Sequence, residues 1–340
     1  MLITHSKKMD KFFDRCLSNM QKDTVNQFLG KRVLKSNEAY MQKKMKKAGF
    51  QEFNGDVSEW PSLFISTKEW INSPYHKQIN LENISSKHFS YVKEPINPNE
   101  LFNVDAVQKD QNKELSDYMI LRAMDEPCDA IYLLQDEKDW MLDAPSEART
   151  NDRPASIARG NIITFGLGIG YFAYMALRNP NVTSITIVER SSEVIDLFKT
   201  AILPQFDIDK PIHIINGDAF DYFNEETLSK YDYCYVDIWQ SGYDGLFLIE
   251  KLLEQYNPPL ETCDFWIEDS CFNTIWSLIF VHFDELYHNR TNAVYDEYTN
   301  IMKKIRIYFN SNPNTYENEE DLKFFMYDNQ TIRNILAIKR

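Results

Sequence analysis

The chain has 340 residues and a formal net charge of −14, with 43% hydrophobic, 26% charged and 14% aromatic residues. This composition excludes general disorder, and the length suffices for about two domains. An acidic surface repels nucleic-acid phosphates and anionic membranes unless a local basic patch exists, so we expect neither as a partner, and a cationic or small neutral substrate is favoured. The one basic run, at 41–50, is interpreted as the solvated face of an amphipathic helix.

Targeting signals and metal motifs are not apparent in the sequence. No apolar run approaches the roughly 20 residues that cross a bilayer. The first residues turn charged at once, so we expect a cytoplasmic protein without a signal peptide. The five cysteines have no CxxC spacing and fit reduced thiols. The six histidines are isolated, so no metal site is predicted.

Residues 1–127 are predicted to form a mainly helical region, because apolar residues such as Phe12 and Cys16 recur at helical steps. Residues 72–118 are rich in Asn, Pro and Ser, and the stretch EPINPNE indicates a loop. A β-hairpin and linker are predicted at 128–150, where two short strands flank the polar turn QDEKD.

Short apolar, β-rich segments alternate with helix-like segments over residues 151–283. Strands buried on both faces and alternating with helices predict a parallel sheet built from right-handed βαβ units, which is a doubly wound, Rossmann-like α/β domain. Residues 284–340 are predicted to be helical, with either a last helix or a closing strand at 331–340, and the added helices are compatible with a homodimer. The predicted strands are 161–166, 184–189, 211–216, 231–237 and 263–269.

The strand ends carry the candidate binding residues, because ligands of doubly wound sheets lie at the carboxyl ends of the strands. The loop GLGIG brings Gly166, Gly168 and Gly170 after the first strand, where backbone N–H groups can approach a ligand closely. Glu189, after the second strand, is placed to accept both hydroxyls of a ribose. Asp218, after the third, is placed either to accept from an adenine amino group or to cap the next helix. Together these residues predict a nucleoside-type ligand.

The run 161–269 resembles a class I S-adenosylmethionine-dependent methyltransferase domain, and the hairpin before the sheet makes it most similar to the spermidine-synthase-like branch. The resemblance covers roughly residues 130–270 and implies S-adenosylmethionine as the cofactor. In the family the glycine loop cradles the methionine part, the acid after strand two binds the ribose, and the acid after strand three binds the adenine. The cofactor-binding positions implied are Gly166, Leu167, Gly168, Gly170, Glu189, Arg190, Asp218, Ala219 and Asp237.

The same resemblance implies transfer of a methyl group from S-adenosylmethionine to a small-molecule acceptor. Such an enzyme mainly aligns the acceptor with the methyl group. Asp237, ending the fourth strand, is the candidate catalytic residue that orients or deprotonates the acceptor. Trp239 fits either a pocket wall or plain packing. The candidate acceptor-binding residues are Trp239, Tyr243, Asp143, Glu147 and Asp269.

Three other functions are open at this point. An aminopropyltransferase acting on an amine is favoured by the acidic charge and Asp237. Against it, Ile169 replaces the acid of that family's glycine loop, and Ile238 and Trp239 follow Asp237 where the family usually has Ser or Thr and a nearby Asp-Pro. A nicotinamide-dependent oxidoreductase is disfavoured because Tyr171 is too bulky for the last position of its fingerprint. A non-catalytic cofactor-binding protein of the same fold is the third alternative.

Overall fold

The N-terminal part of the chain mixes helices and strands. The computed structural model describes residues 2–22, 26–50, 60–104, 106–107, 109, 114–116 and 119–339. The expectation of a mainly helical region therefore needs correction, since strands occur throughout the described part of residues 1–127. The elements are β1 (Leu2–Ile3), α1 (Lys7–Met20), α2 (Glu38–Lys47), β2 (Phe64–Ile65), α3 (Thr67–Ile71), α4 (Pro74–Gln78), β3 (Phe89–Ile96), β4 (Phe102–Asn103) and β5 (Leu121–Met124).

A three-stranded antiparallel sheet precedes the main domain. It consists of β3, β6 (Cys128–Gln135) and β7 (Lys138–Asp143), with β6 in the middle. The loop between β6 and β7 is a two-residue turn in which Asp136 and Glu137 both have positive φ, the geometry that matches the twist of a hairpin. Part of EPINPNE lies in β3 instead of a loop. Pro95 pairs with Asp129 there, and an edge strand tolerates proline because one of its sides forms no ladder hydrogen bonds.

The main domain is a parallel sheet of five strands in the order β10-β9-β8-β11-β12. Each neighbouring pair is parallel, and the order reverses at the first strand, as in Rossmann-like folds. The predicted parallel α/β sheet is confirmed at this level. The elements are α5 (Pro145–Ile157), β8 (Gly160–Phe165), α6 (Tyr171–Arg178), β9 (Val182–Glu189), α7 (Ser192–Leu197), β10 (Ile212–Asn216), α8 (Ala219–Tyr222), α9 (Glu225–Leu228), β11 (Tyr233–Val236), α10 (Gly242–Gln255) and β12 (Cys263–Phe265).

The C-terminal segment is helical and continuous with the sheet domain. Its first helix begins directly after β12 and runs through residue 283, so the predicted boundary at 283/284 falls inside a helix, as does the boundary at 150/151 in α5. The stretch predicted as a last helix or a closing strand is helical as far as Leu336. The elements are α11 (Glu268–His288), α12 (Thr299–Ser311), β13 (Thr315–Tyr316), α13 (Glu319–Tyr327) and α14 (Asn329–Leu336).

One large apolar core joins the sheet domain to both ends of the chain. Phe12 and Phe13 of α1 pack against Phe280 of α11, and β1 pairs in parallel with β13. A separate small core lies under α2 and includes Met45 and Phe50. Within the described ranges, no helix has the combination of length and hydrophobicity that a membrane span requires.

Candidate functional site

A cavity of about 640 Å³ opens at the carboxyl ends of the parallel strands. All five strands contribute to its lining through residues at or just after their carboxyl ends. Gly166 follows β8, Glu189 ends β9, Asp218 follows β10, Asp237 follows β11 and Trp266 follows β12. A volume in the range of about 300–1,000 Å³ is typical of small-molecule sites. The strand ends therefore form one compartment of ligand size.

The glycine loop is shaped first by close approaches within the protein. At Gly166, with φ of +93°, an added Cβ would lie 1.9 Å from the backbone oxygen of Asp237. At Gly168 it would meet the sulfur of Met141 at 2.6 Å. Gly170 begins α6 and faces the ring of Phe198, and it does not line the cavity. The loop thus lets the ends of β8 and β11 meet where the cavity begins.

The carboxylate of Glu189 is hydrogen-bonded to the glycine loop. The side chain is buried, and its two carboxylate oxygens accept hydrogen bonds from the backbone N–H of Leu167 at 3.1 Å and of Ser191 at 2.7 Å. Each carboxylate oxygen has two acceptor sites, so these bonds leave capacity for donors from a ligand. The carboxylate lies at the end of β9 and lines the cavity, as a ribose-binding group must.

Asp218 caps a helix, which is one of the two roles that the sequence predicts for it. Its Oδ1 accepts from the backbone N–H of Phe220 at 2.9 Å and caps α8. The residue also lines the cavity together with Ala219 and Arg190. The capping bond fixes the carboxyl in place at the cavity wall, so the two roles are compatible.

Two carboxyl groups without polar partners lie at the inner end of the cavity. Asp237 and Glu147 interact electrostatically, and among the described residues neither carboxyl accepts a hydrogen bond or forms an ion pair. Desolvation, followed by the nearby Glu147, raises the pKa of Asp237 well above its usual range. Desolvation and the charge of Asp143 raise the pKa of Glu147 to about 7. Glu147 is therefore poised to take a proton near neutral pH, and the buried Asp237 disfavours its own charged form.

The raised pKa of Glu147 predicts a pH-dependent stability. The unfolded chain releases this proton near pH 4.5 and the folded chain only near pH 7, so the group lowers stability increasingly across that window. We expect Glu147→Gln to raise the free energy of unfolding by about 1–3 kcal/mol at pH 8 and hardly at pH 4.5. Thermal melts of both proteins at the two pH values measure this difference. Glu226→Gln, at an exposed site on α9, is the control, and equal gains at both pH values would contradict the prediction.

Aromatic side chains and the hairpin close the cavity from the other side. Trp140 and Met141 of β7 line it, and Gln240 Nε2 donates to the backbone carbonyl of Trp140 at 3.1 Å. This bond ties the loop after β11 to the hairpin. Trp239 lines the cavity as well, and it is also buried against Gly245 of α10. Its side chain therefore serves both as a wall of the cavity and as part of the packed core.

Helix α4 of the N-terminal part supports the site from outside the sheet domain. The hydroxyl of the fully buried Tyr75 donates to the carbonyl of Ile169 in the glycine loop at 2.7 Å. The next residue, His76, lies with Nε2 2.9 Å from Oδ1 of Asp143 at the end of β7. The glycine loop and the start of α5 are thus anchored by one short helix.

We expect Tyr75→Phe to loosen the glycine loop, because the carbonyl of Ile169 would lose a buried donor worth about 1–3 kcal/mol. Amide hydrogen exchange over 166–171 should accelerate by about tenfold. Tyr174→Phe is the matched control: that buried tyrosine donates to Asp207, away from the loop. Equal exchange in both variants would show that Tyr75 only fills space.

Most of the predicted site residues lie together in the cavity, and four do not. Asp143 is buried in its contact with His76, and Tyr243 is exposed and donates to Glu297. Asp269 accepts from Asn329 of α14, and Gly170 faces Phe198. The predicted residues that line the cavity are Gly166, Leu167, Gly168, Glu189, Arg190, Asp218, Ala219, Asp237, Trp239 and Glu147.

Sequence reasoning missed the lining residues that come from strand interiors and from the hairpin. Thr164 and Tyr235 lie within β8 and β11 and read as core positions in an apolar run. The hairpin residues have no motif that marks them. An acidic residue at the end of an apolar strand is conspicuous in the sequence. A residue within the strand follows the same hydrophobic pattern whether its side chain faces a ligand cavity or the core.

Comparisons with known proteins identify no family for this chain. No protein-family model and no curated protein matches it. Among solved structures, Mycobacterium tuberculosis shikimate dehydrogenase is similar at 12% identity and a TM-score of 0.22, covering 46% of this chain and 57% of the dehydrogenase. MNMC2 from Aquifex aeolicus is similar at 13% identity and a TM-score of 0.24, covering 62% of this chain and 79% of that one. The order and parallel pairing of the five strands define the fold.

Proposed function

We propose that the protein is an S-adenosylmethionine-dependent methyltransferase that acts on a small cationic acceptor. The observation that supports this most is the sequence of groups along the strand ends of one cavity: the glycine loop, Glu189, Asp218 and Asp237. Their order suits a ligand with a carboxylate, a ribose and an adenine in that succession. When bound, the cofactor supplies a methyl group on a positively charged sulfur, open to displacement.

The charge of the cavity supports a cationic ligand set. Its lining has six acidic residues and one basic residue, Arg190. A low-dielectric compartment of this kind favours positively charged groups over anions. The acidic residues are Asp139, Glu147, Glu189, Asp218, Asp237 and Asp244.

The residues of this chain have distinct proposed roles. The backbone of Gly166 to Gly168 would hold the cofactor carboxylate end, Glu189 the ribose and Asp218 the adenine amino group. Asp237 and Glu147 would orient the cationic acceptor and take a proton from its ammonium group. The free amine would then accept the methyl group as the bond between that methyl and the sulfur breaks, with S-adenosylhomocysteine as the leaving group. The pKa of Glu147, raised to about 7, suits this task, since a base is most effective when its pKa is near the working pH. Trp140 and Trp239 would exclude water.

An aminopropyltransferase is the second candidate, favoured by the same acidic lining because its acceptors are amines. Ile169 counts against it, since its side chain is buried and offers no carboxylate to the ligand. A non-catalytic protein that binds the cofactor for assembly or sensing is the third.

Isothermal titration with S-adenosylmethionine, S-adenosylhomocysteine, decarboxylated S-adenosylmethionine and NAD tests the proposal. Binding of the first two, weakened in Asp218→Ala, would support it. Preference for the decarboxylated compound would favour aminopropyl transfer, and preference for NAD an oxidoreductase. If none of the four compounds binds, the cofactor assignment is wrong. Binding without turnover against a broad panel of amines would favour the non-catalytic alternative.

A further inference from the structure

The structure assigns a second binding surface, remote in sequence from the cavity residues, to single-stranded nucleic acid. We call it the basic surface. It is formed by cations of the segment before α2 and of α2 itself, and all their side chains are exposed. Residues 26–50 hold seven cations and one acid, Glu38, whereas the rest of the chain carries a net −20. The members of the basic surface are Lys31, Arg32, Lys35, Lys43, Lys44, Lys46 and Lys47.

The cations of the basic surface are not neutralised by acids that the structure describes. No ion pair joins any of them to a residue that the structure describes. In the remainder of the fold, Lys304 pairs with Glu250 and Glu254, and Lys323 pairs with Glu114. Three acids follow in sequence at 52, 56 and 59, outside the described residues, and even with them the stretch stays positive. The basic surface therefore presents charge that the described part of the protein does not neutralise.

The basic surface rests on a rigid support. Met41 and Met45 of α2 are buried in the small separate core, which turns the lysines toward solvent. The segment before α2 is fixed by backbone bonds: Gly30 donates to Leu101, and Val33 donates to Asn99 at 2.7 Å. Because the support is already ordered, binding costs little conformational entropy in the backbone.

The chemistry of the basic surface favours nucleic acid over the other anionic partners. Tyr40 is 60% exposed, with Lys44 Nζ 4.8 Å from its ring centroid, so a base can stack beside a cation. An amphipathic membrane helix inserts its apolar face, and α2 cannot do so because that face is already buried. An acidic protein surface would use the lysines but not the exposed ring. Single strands match both features, since they offer phosphates and unstacked bases together.

Fluorescence anisotropy of the full chain with a labelled single-stranded RNA of mixed sequence tests this surface. We expect binding that weakens by about 50-fold between 50 and 200 mM salt if four lysines contact phosphates. The variant Lys43→Gln/Lys44→Gln/Lys46→Gln/Lys47→Gln should bind at least about tenfold more weakly at low salt. Tyr40→Ala should lose about five- to tenfold through stacking. The charge-matched control replaces four exposed lysines outside the surface with Gln: Lys7, Lys11, Lys199 and Lys230.

Several results would overturn the assignment. Equal losses in the two quadruple variants would mean diffuse electrostatic attraction and no defined surface. An unchanged affinity of Tyr40→Ala would remove the stacking argument for single strands. Vesicles of phosphatidylserine and phosphatidylcholine, and polyglutamate, serve as competing probes. Tighter binding to either than to RNA would transfer the surface to a membrane or to an acidic protein. Far-UV circular dichroism confirms that each variant is folded.

Discussion

Gly166→Ala is expected to destabilise the protein by roughly 3–5 kcal/mol, the range of severe core defects. Two costs add up at this position. The φ of +93° is strained for any residue with a side chain, and the new Cβ would lie 1.9 Å from the backbone oxygen of Asp237. Backbone atoms of two adjacent parallel strands cannot separate without breaking the sheet at β8 and β11. Chemical denaturation measures the loss directly.

Gly49→Ala separates these two costs. Gly49 has a φ of +95°, nearly that of Gly166, but no atom of the residues that the structure describes lies within 4 Å of its added Cβ. Its substitution should cost only the conformational strain, about 1–2 kcal/mol. The difference between the two variants is then the free energy of the close approach between the loop and β11. If both lose the same stability, the proximity of Asp237 does not explain the glycine at 166.

Asp237→Asn is expected to reduce the rate of group transfer by at least about 100-fold, since it removes the proposed proton acceptor and keeps the side-chain shape. Affinity for S-adenosylhomocysteine should change by less than about threefold, because the lost interaction concerns the acceptor. The melting temperature should not fall, as the folded chain already disfavours the charged form of this carboxyl. Steady-state kinetics with the first amine that a panel identifies as an acceptor gives the rate.

The control for that experiment is Asp221→Asn, on the exposed side of α8 and outside the cavity. It should retain the full rate. A rate within threefold of wild type for Asp237→Asn would exclude Asp237 as the proton acceptor and leave Glu147 as the candidate for that role. If the wild-type protein binds no adenosyl ligand at all, the proposed function fails before the role of Asp237 is tested.

Local sequence patterns were sufficient for the order of the sheet-domain elements. The alternation of short apolar runs with helical ones located β8 to β12 within a few residues, because buried parallel strands leave a clear compositional signature. The same reasoning missed β3, where proline, asparagine and serine suggested a loop. It also cut α11 at residue 283, because a long helix that packs on several elements has no single apolar face.

The glycine loop shows where local reasoning reached its limit. The sequence predicted that the backbone at GLGIG approaches a ligand closely, whereas the neighbours that the structure places against these glycines are the backbone of Asp237, the sulfur of Met141 and the ring of Phe198. These neighbours come from a strand, a hairpin and a helix that are distant in sequence. The spacing of the glycines indicates that side chains would be too large at these positions. It does not indicate which atoms lie against them.

By itself, the sequence determined the class of the fold and the succession of polar groups at the strand ends, since both depend on short-range periodicity and on the geometry of a βαβ unit. Only the tertiary structure decided which of those groups share a cavity. It brought Glu147 of α5 next to Asp237, and it anchored the glycine loop to Tyr75 of the N-terminal part. It also gave Asp143, Tyr243 and Asp269 partners outside the cavity. The reason is physical: such contacts arise from packing between segments many residues apart, and no local pattern encodes them.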